Sequence, residues 1–256
     1  QVVRELERDD PYHGFLVRRT RSLAAARAFR DGVRLAERSR NQEARAAFER
    51  ALAADPAFWP APLYLATLAK ANARFDDAHA LIARVREMLP HPEATEAVVV
   101  EAPSAYVAED NQGQLEALQR ALGLFPGSGY LAYRTAQSLR MQDRPDEAIP
   151  LLERLLERNW RPDWSPTREV LAWCQLLAAR HEDVLKTCQA GEERFPTRHR
   201  YSYLAACALQ QLGRRDEARW ALGTAIRKSL DHSGTAPRTV HQTAAYWAAM
   251  LRLPEE

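Results

Sequence analysis

The strongest constraint on this chain is a four-residue pattern that returns six times. In its first copy, Ala44, Phe48, Ala51 and Pro56 stand 4, 3 and 5 positions apart. The first three share one helical face, and the proline stops the helix. The later copies are Ala78, Ile82, Val85, Pro90; Gln114, Leu118, Ala121, Pro126; Ala148, Leu152, Leu155, Trp160; Val184, Cys188, Gly191, Pro196; and Ala218, Leu222, Ala225, Leu230. Successive copies are displaced by 34, 36, 34, 36 and 34 residues. A period of that length means like units, each burying its apolar face against its neighbours.

An apolar helix precedes each anchor set. Gly32, Ala66, Ala136, Ala172 and Ala206, each twelve positions before a first anchor, let two helices approach closely. Short polar segments such as Ser39–Gln42, Asn72–Phe75, Gln142–Pro145 and Leu212–Arg215 join the paired helices. The predicted fold is all-α, a right-handed α-solenoid of antiparallel helix hairpins.

Over roughly residues 25–230, the period, the small-large-small anchors and the closing proline resemble the tetratricopeptide repeat family. That resemblance implies six repeats within residues 22–236: 25–58, 59–92, 95–128, 129–162, 165–198 and 199–232. The third is expected to be degenerate or kinked in its first helix, because residues 92–110 hold Val98-Val99-Val100 and an internal Pro103. The stretch from Trp160 to Pro166, with two Trp and two Pro, is expected to be a packed, ordered loop. Residues 1–21 are read as a linker or short helix, with a helix over Val2–Arg8 and a turn over Asp9–Gly14. Residues 237–256 are read as a capping helix with Val240, Ala244, Trp247 and Leu251 on one face.

The resemblance also implies that first helices line a concave groove. Projecting their spacing yields Tyr64, Thr67 and Lys70 from the second repeat, and Tyr133, Gln137 and Arg140 from the fourth. Glu169 and Trp173 come from the fifth, Tyr203 and Gln210 from the sixth. Aromatics beside Gln and Arg suit an extended peptide, through amphipathic contact area and hydrogen bonds to its backbone. Packing against the adjacent repeat is the competing role for Tyr133, Trp173 and Tyr203. The Lys/Asn set with which chaperone-binding members clamp a terminal carboxylate is not matched, since Thr67, Gln137 and Trp173 stand where Asn is needed.

A narrower resemblance is to the repeat regions of bacterial membrane-anchored serine/threonine kinases and winged-helix regulators. It rests on Arg144–Ala148, the Trp/Pro loop with the helix after it, and Ser22–Ala25 before the Gly32 helix. It implies a sensory or interaction region of a larger bacterial signalling protein. Residue 1 is Gln, which is read as a start within a longer or processed product.

Chemistry is sparse. The formal charge of +2 argues against direct nucleic-acid binding. Cys174, Cys188 and Cys207 form no disulfide framework or zinc pattern and read as small core residues. The seven histidines are scattered, and His181-Glu182-Asp183 lies at a turn where polar residues are solvated. Neither a phosphate loop nor a nucleophile elbow occurs. No catalytic residue, metal or cofactor is expected, nor membrane insertion by this segment. The predicted function is capture of a protein or peptide ligand in the groove, the alternative being a self-associating assembly scaffold. Unpaired cysteines lean towards the cytoplasm, whereas the kinase resemblance allows an extracytoplasmic sensor.

Overall fold

The computed structural model of the chain describes residues 10–233. The expected helices at Val2–Arg8 and 237–252 lie outside the described residues. Two compact units divide at Ser138/Leu139. In the first, α1 (Pro11–Val17) precedes α2 (Leu23–Glu37), α3 (Asn41–Ala54), α4 (Pro60–Ala71), α5 (Phe75–Met88), α6 (Ala94–Val107), α7 (Asn111–Leu124) and most of α8 (Gly129–Met141). The second holds the end of α8, then α9 (Pro145–Glu157), α10 (Pro166–Leu177), α11 (His181–Arg194), α12 (His199–Gln211) and α13 (Arg215–Ser233). No strand occurs among the described residues.

The first three anchors of all six copies are buried, from Ala44, Phe48 and Ala51 to Ala218, Leu222 and Ala225. Five of the twelve-before residues are buried with them, and Ala102 of α6 is buried at the equivalent place in the third copy. Gly32 shows why the position must be small: a Cβ there would overlap the Phe48 ring. Phe48 fills that gap and joins Phe29, Phe58 and Tyr64 in an aromatic cluster with centroids 5.1–5.5 Å apart. In the second unit the polarity is reversed. Gly191 of α11 leaves the space that Tyr201 of α12 occupies, and a Cβ on Gly191 would overlap that ring.

In the third copy, whose first helix is expected to be degenerate or kinked, α6 is one helix from Ala94 to Val107 with Pro103 inside it. Proline removes the amide that would bond to Val99, but a capping box between Glu93 and Glu96 closes the helix start. Burial of Val99, Ala102 and Val107 holds the rest.

The beginning of the chain differs more. The spacing of turn formers over Asp9–Gly14 predicts a turn, yet α1 starts at Pro11. Asp10 caps it by accepting from the amides of Tyr12 and His13 at 3.1 and 3.4 Å, and proline sits well at a first helical position.

Seven turns, after α2, α4, α6, α8, α9, α10 and α12, share one conformation. Each has a left-handed residue, Ser39, Ala73, Glu109, Asp143, Asn159, Ala179 or Gly213. The next amide donates back five residues, as from Arg40 to Leu35 (3.0 Å) and from Arg180 to Gln175 (2.8 Å). This is the Schellman arrangement, where glycine is preferred because a Cβ resists the left-handed region. Ala179→Gly is therefore expected to stabilise the protein by about 0.5–1 kcal/mol, read as a higher urea midpoint. An unchanged or lower midpoint would mean that the turn carries no such strain. Four of these turns continue with an arginine that pairs with an acid three residues on: Arg40 with Glu43, Arg74 with Asp77, Arg144 with Glu147 and Arg214 with Glu217. These pairs are exposed and add little stability each.

The Trp160–Pro166 loop is ordered by its own side chains. Trp160 and Trp164 meet edge to face at 5.5 Å, with the Arg161 guanidinium 4.9 Å from the first ring centroid. Arg194 of α11 donates to the Pro162 carbonyl at 2.7 Å and pairs with Asp163 at 3.0 Å.

Candidate functional site

In the first unit, the expected groove residues are largely committed to the chain itself. Tyr64 is buried, and its hydroxyl lies 2.9 Å from His13 Nε2 on α1. Burial raises its phenol well above the ordinary range. Thr67 donates its hydroxyl to the Tyr64 carbonyl at 2.8 Å. Lys70 pairs with Glu109 and lies 4.6 Å from the Phe75 ring centroid. Tyr133 is buried and accepts from the Gln137 amide at 2.9 Å. The sequence reading expects Tyr64 to face a partner, but α1 covers it.

A residue absent from that reading is Arg134. It donates to the Tyr130 hydroxyl at 3.1 Å and lies 5.9 Å from the Tyr106 and Tyr130 ring centroids. The adjoining Tyr130 phenol pushes the guanidinium's pKa up further, against the opposing effect of burial. Its position one residue after Tyr133 gave no signal, since it falls beside the projected face.

In the second unit, Glu169 is buried, accepts from Ser165 Oγ at 2.8 Å and pairs with Arg200 at 3.2 Å. It is a structural carboxylate joining the α10 start to α12. Trp173 and Tyr203, both half-buried, face each other on α10 and α12 with centroids 6.3 Å apart and planes at 30°. Met141 on α8 and Leu177 on α10 are exposed apolar side chains of the same unit. Several polar atoms of the unit are buried without a hydrogen bond, among them Nε of Arg140 on α8 and Oε1 of Gln210, seven residues past Tyr203 on α12. The unit thus presents an aromatic pair, exposed apolar side chains, and unmet polar atoms.

Burial pushes the Cys174 thiol up to about 11 and the Cys188 thiol up to about 12, so neither offers a thiolate near neutral pH. Cys207 is half-buried rather than a fully enclosed core residue. No group of His, Cys, Asp and Glu among the described residues could hold a metal ion. No described helix is long and apolar enough to cross a membrane.

Two family models, both described as tetratricopeptide repeat, match residues 35–98 and 99–163, together just over half of the chain. The chain belongs to the tetratricopeptide repeat family. No curated protein matches its sequence significantly. Among solved structures, one similar in fold is YrrB, described as a TPR protein with an unusual peptide-binding site. It is 21% identical with a TM-score of 0.52, over 73% of this chain and 94% of that one. MamA structures are also similar: MSR-1 at 16% identity and TM-score 0.55, over 68% and 98% of the two chains, and AMB-1 at 18% and 0.54, over 66% and 98%. At these identities the likeness is one of fold, the α-solenoid of tetratricopeptide repeats. Repeats of this family bind protein or peptide partners and typically carry no catalysis, and the chain is a protein-interaction module of that kind.

Proposed function

We propose that the chain captures a peptide or partner segment on the second unit, with Trp173 and Tyr203 as its aromatic anchors. The observation that carries this reading is the Trp173–Tyr203 pair of half-buried rings on α10 and α12, and the buried, unsatisfied Arg140 Nε and Gln210 Oε1 of the same unit support it. Buried polar groups without partners are rare and call for a reason. A peptide backbone supplies one: its carbonyl accepts from Arg140, and its amide donates to Gln210. The peptide-binding site named for YrrB, a relative in fold, supports the same class of ligand. The resemblance of Arg144–Ala148 and the Trp/Pro loop to bacterial signalling proteins supports a sensory setting within a larger protein.

Selection of a displayed peptide library on the whole chain tests this. The W173A/Y203A variant is expected to lose at least ten-fold in affinity for the selected peptides. Because both side chains are half-buried, its melting temperature should fall by only a few degrees. Undiminished binding by a folded variant would sink the proposal.

A second reading, self-association, is favoured by one side chain. Trp220 on α13 is 71% exposed, far more than an aromatic of that size ordinarily is. Light scattering over a range of concentrations should then show a dimer that Trp220→Ser abolishes. A monomer at every concentration excludes it.

A further inference from the structure

The first unit is bound to its own chain in the manner of a ligand. We propose that it contains a separate peptide-recognition site, selective for an acidic residue followed two positions later by an aromatic one at a helix start, and that residues 10–17 occupy it in cis.

The Asp10 carboxylate is the centre of recognition. It is 1% exposed and accepts from Ser128 Oγ at 2.8 Å and from the Tyr130 amide at 2.9 Å, at the N-terminus of α8. There the free amides and the helix dipole favour an anion. The same carboxylate caps α1, so one side chain closes two helix starts. Two residues on, Tyr12 stacks on Tyr130 at 5.7 Å and 14° and meets the edge of Phe125 at 5.8 Å. His13 adds the bond to Tyr64, and Leu16 and Val17 are fully buried.

These partners come from α4 and the α7–α8 junction, 51 to 120 residues away in sequence. Further on, Arg19 pairs with Glu96 of α6 at 3.3 Å, and Thr20 bonds Asp55. The arm is joined to α2 only by residues 18–22. A cavity of about 30 Å³ beside Tyr12, bounded by Thr67, Pro103 and Arg134, has room for about one water. A segment held through side-chain recognition by distant elements, on a short tether, is exchangeable for a peptide of like chemistry from another protein. This inference is independent of the Trp173–Tyr203 face.

The test is fluorescence polarisation with a labelled peptide carrying the sequence of residues 9–20. Added to the full chain, it should bind weakly. To the full-chain variant D10A/Y12A, whose own arm is loosened, it should bind at least ten-fold more tightly. The same peptide with Asp10→Ala should lose at least ten-fold. Equal binding to wild type and to a cooperatively melting variant overturns the proposal. Where that variant fails to melt cooperatively, the wild-type chain cut at a protease site engineered between Arg18 and Ser22 decides: exchange of its retained arm for the labelled peptide supports the site, and no exchange overturns it. A wild-type dimer that the peptide dissociates assigns the site to a second copy's arm, and overturns the reading of an external partner.

Discussion

Replacing Phe48 with alanine is expected to lower the unfolding free energy by about 3–5 kcal/mol. The ring is fully buried and is shared among Phe29, Tyr64 and the space that Gly32 leaves. Its loss opens a cavity between α2 and α3 that nearby side chains cannot fill, because Ala44, Ala47 and Ala51 are already small. The effect should spread, since stacked repeats draw stability from their neighbours. Phe48→Leu, which keeps most of the volume, is expected to cost about 1–1.5 kcal/mol. Urea unfolding of both variants checks the pair. A loss below about 1 kcal/mol for alanine would mean that the pocket collapses, against the rigid packing argued from Gly32.

A loss of similar size is expected in the second unit for Tyr201→Ala, again about 3–5 kcal/mol by analogy with other large buried aromatics. Tyr201 is fully buried in the space beside Gly191 and lies parallel to Phe195 at 6.4 Å. Its hydroxyl donates to the Ser165 carbonyl at 3.1 Å. That carbonyl also receives the amides of Arg168 and Glu169, both at 3.1 Å. Tyr201→Phe therefore strands no acceptor and should cost only about 0.5–1 kcal/mol. A phenylalanine variant as damaged as the alanine one would show that the hydroxyl, rather than the ring, holds α12 in place. Thermal melts read alongside urea titrations separate the two cases.

The anchors were legible because each is buried by a helix adjacent in sequence, as Phe48 is by Gly32 and Gly191 by Tyr201. Ala44, Phe48 and Ala51 announce a helix face, and Gly32 announces the helix that must come close to it. Ala102 stands at the matching place in the third copy, but Pro103 beside it breaks the local pattern of a helix interior. The neighbouring capping box and core contacts that keep α6 whole are tertiary and local at once. α1 carried its own signals, since Asp10 followed by Pro11 is a helix start as much as a turn. What no local pattern could reveal is where α1 sits: Ser128 and Tyr130 are 118 and 120 residues from Asp10. The same distance explains Tyr64, which the helical spacing places on an open face and the arm then covers. For Trp173 and Tyr203 the helical spacing leaves groove lining and packing against the adjacent repeat both open, and their facing of one another is seen only in the structure. The unmet atoms of Arg140 and Gln210 were not legible either, since satisfaction depends on every neighbour.

The pairing of Gly32 with Phe48 also limits what can be moved between such molecules. At the equivalent place the next pair carries Ala66 and Ile82, a slightly larger residue facing a slightly smaller one. These two helix pairs thus divide a similar volume in different ways, and a graft is sound only when both members travel together. An α2 carrying Gly32 set opposite an isoleucine would leave a void, and an α4-type alanine set opposite Phe48 would collide. For a chimaera, the smallest transferable part is the matched hairpin.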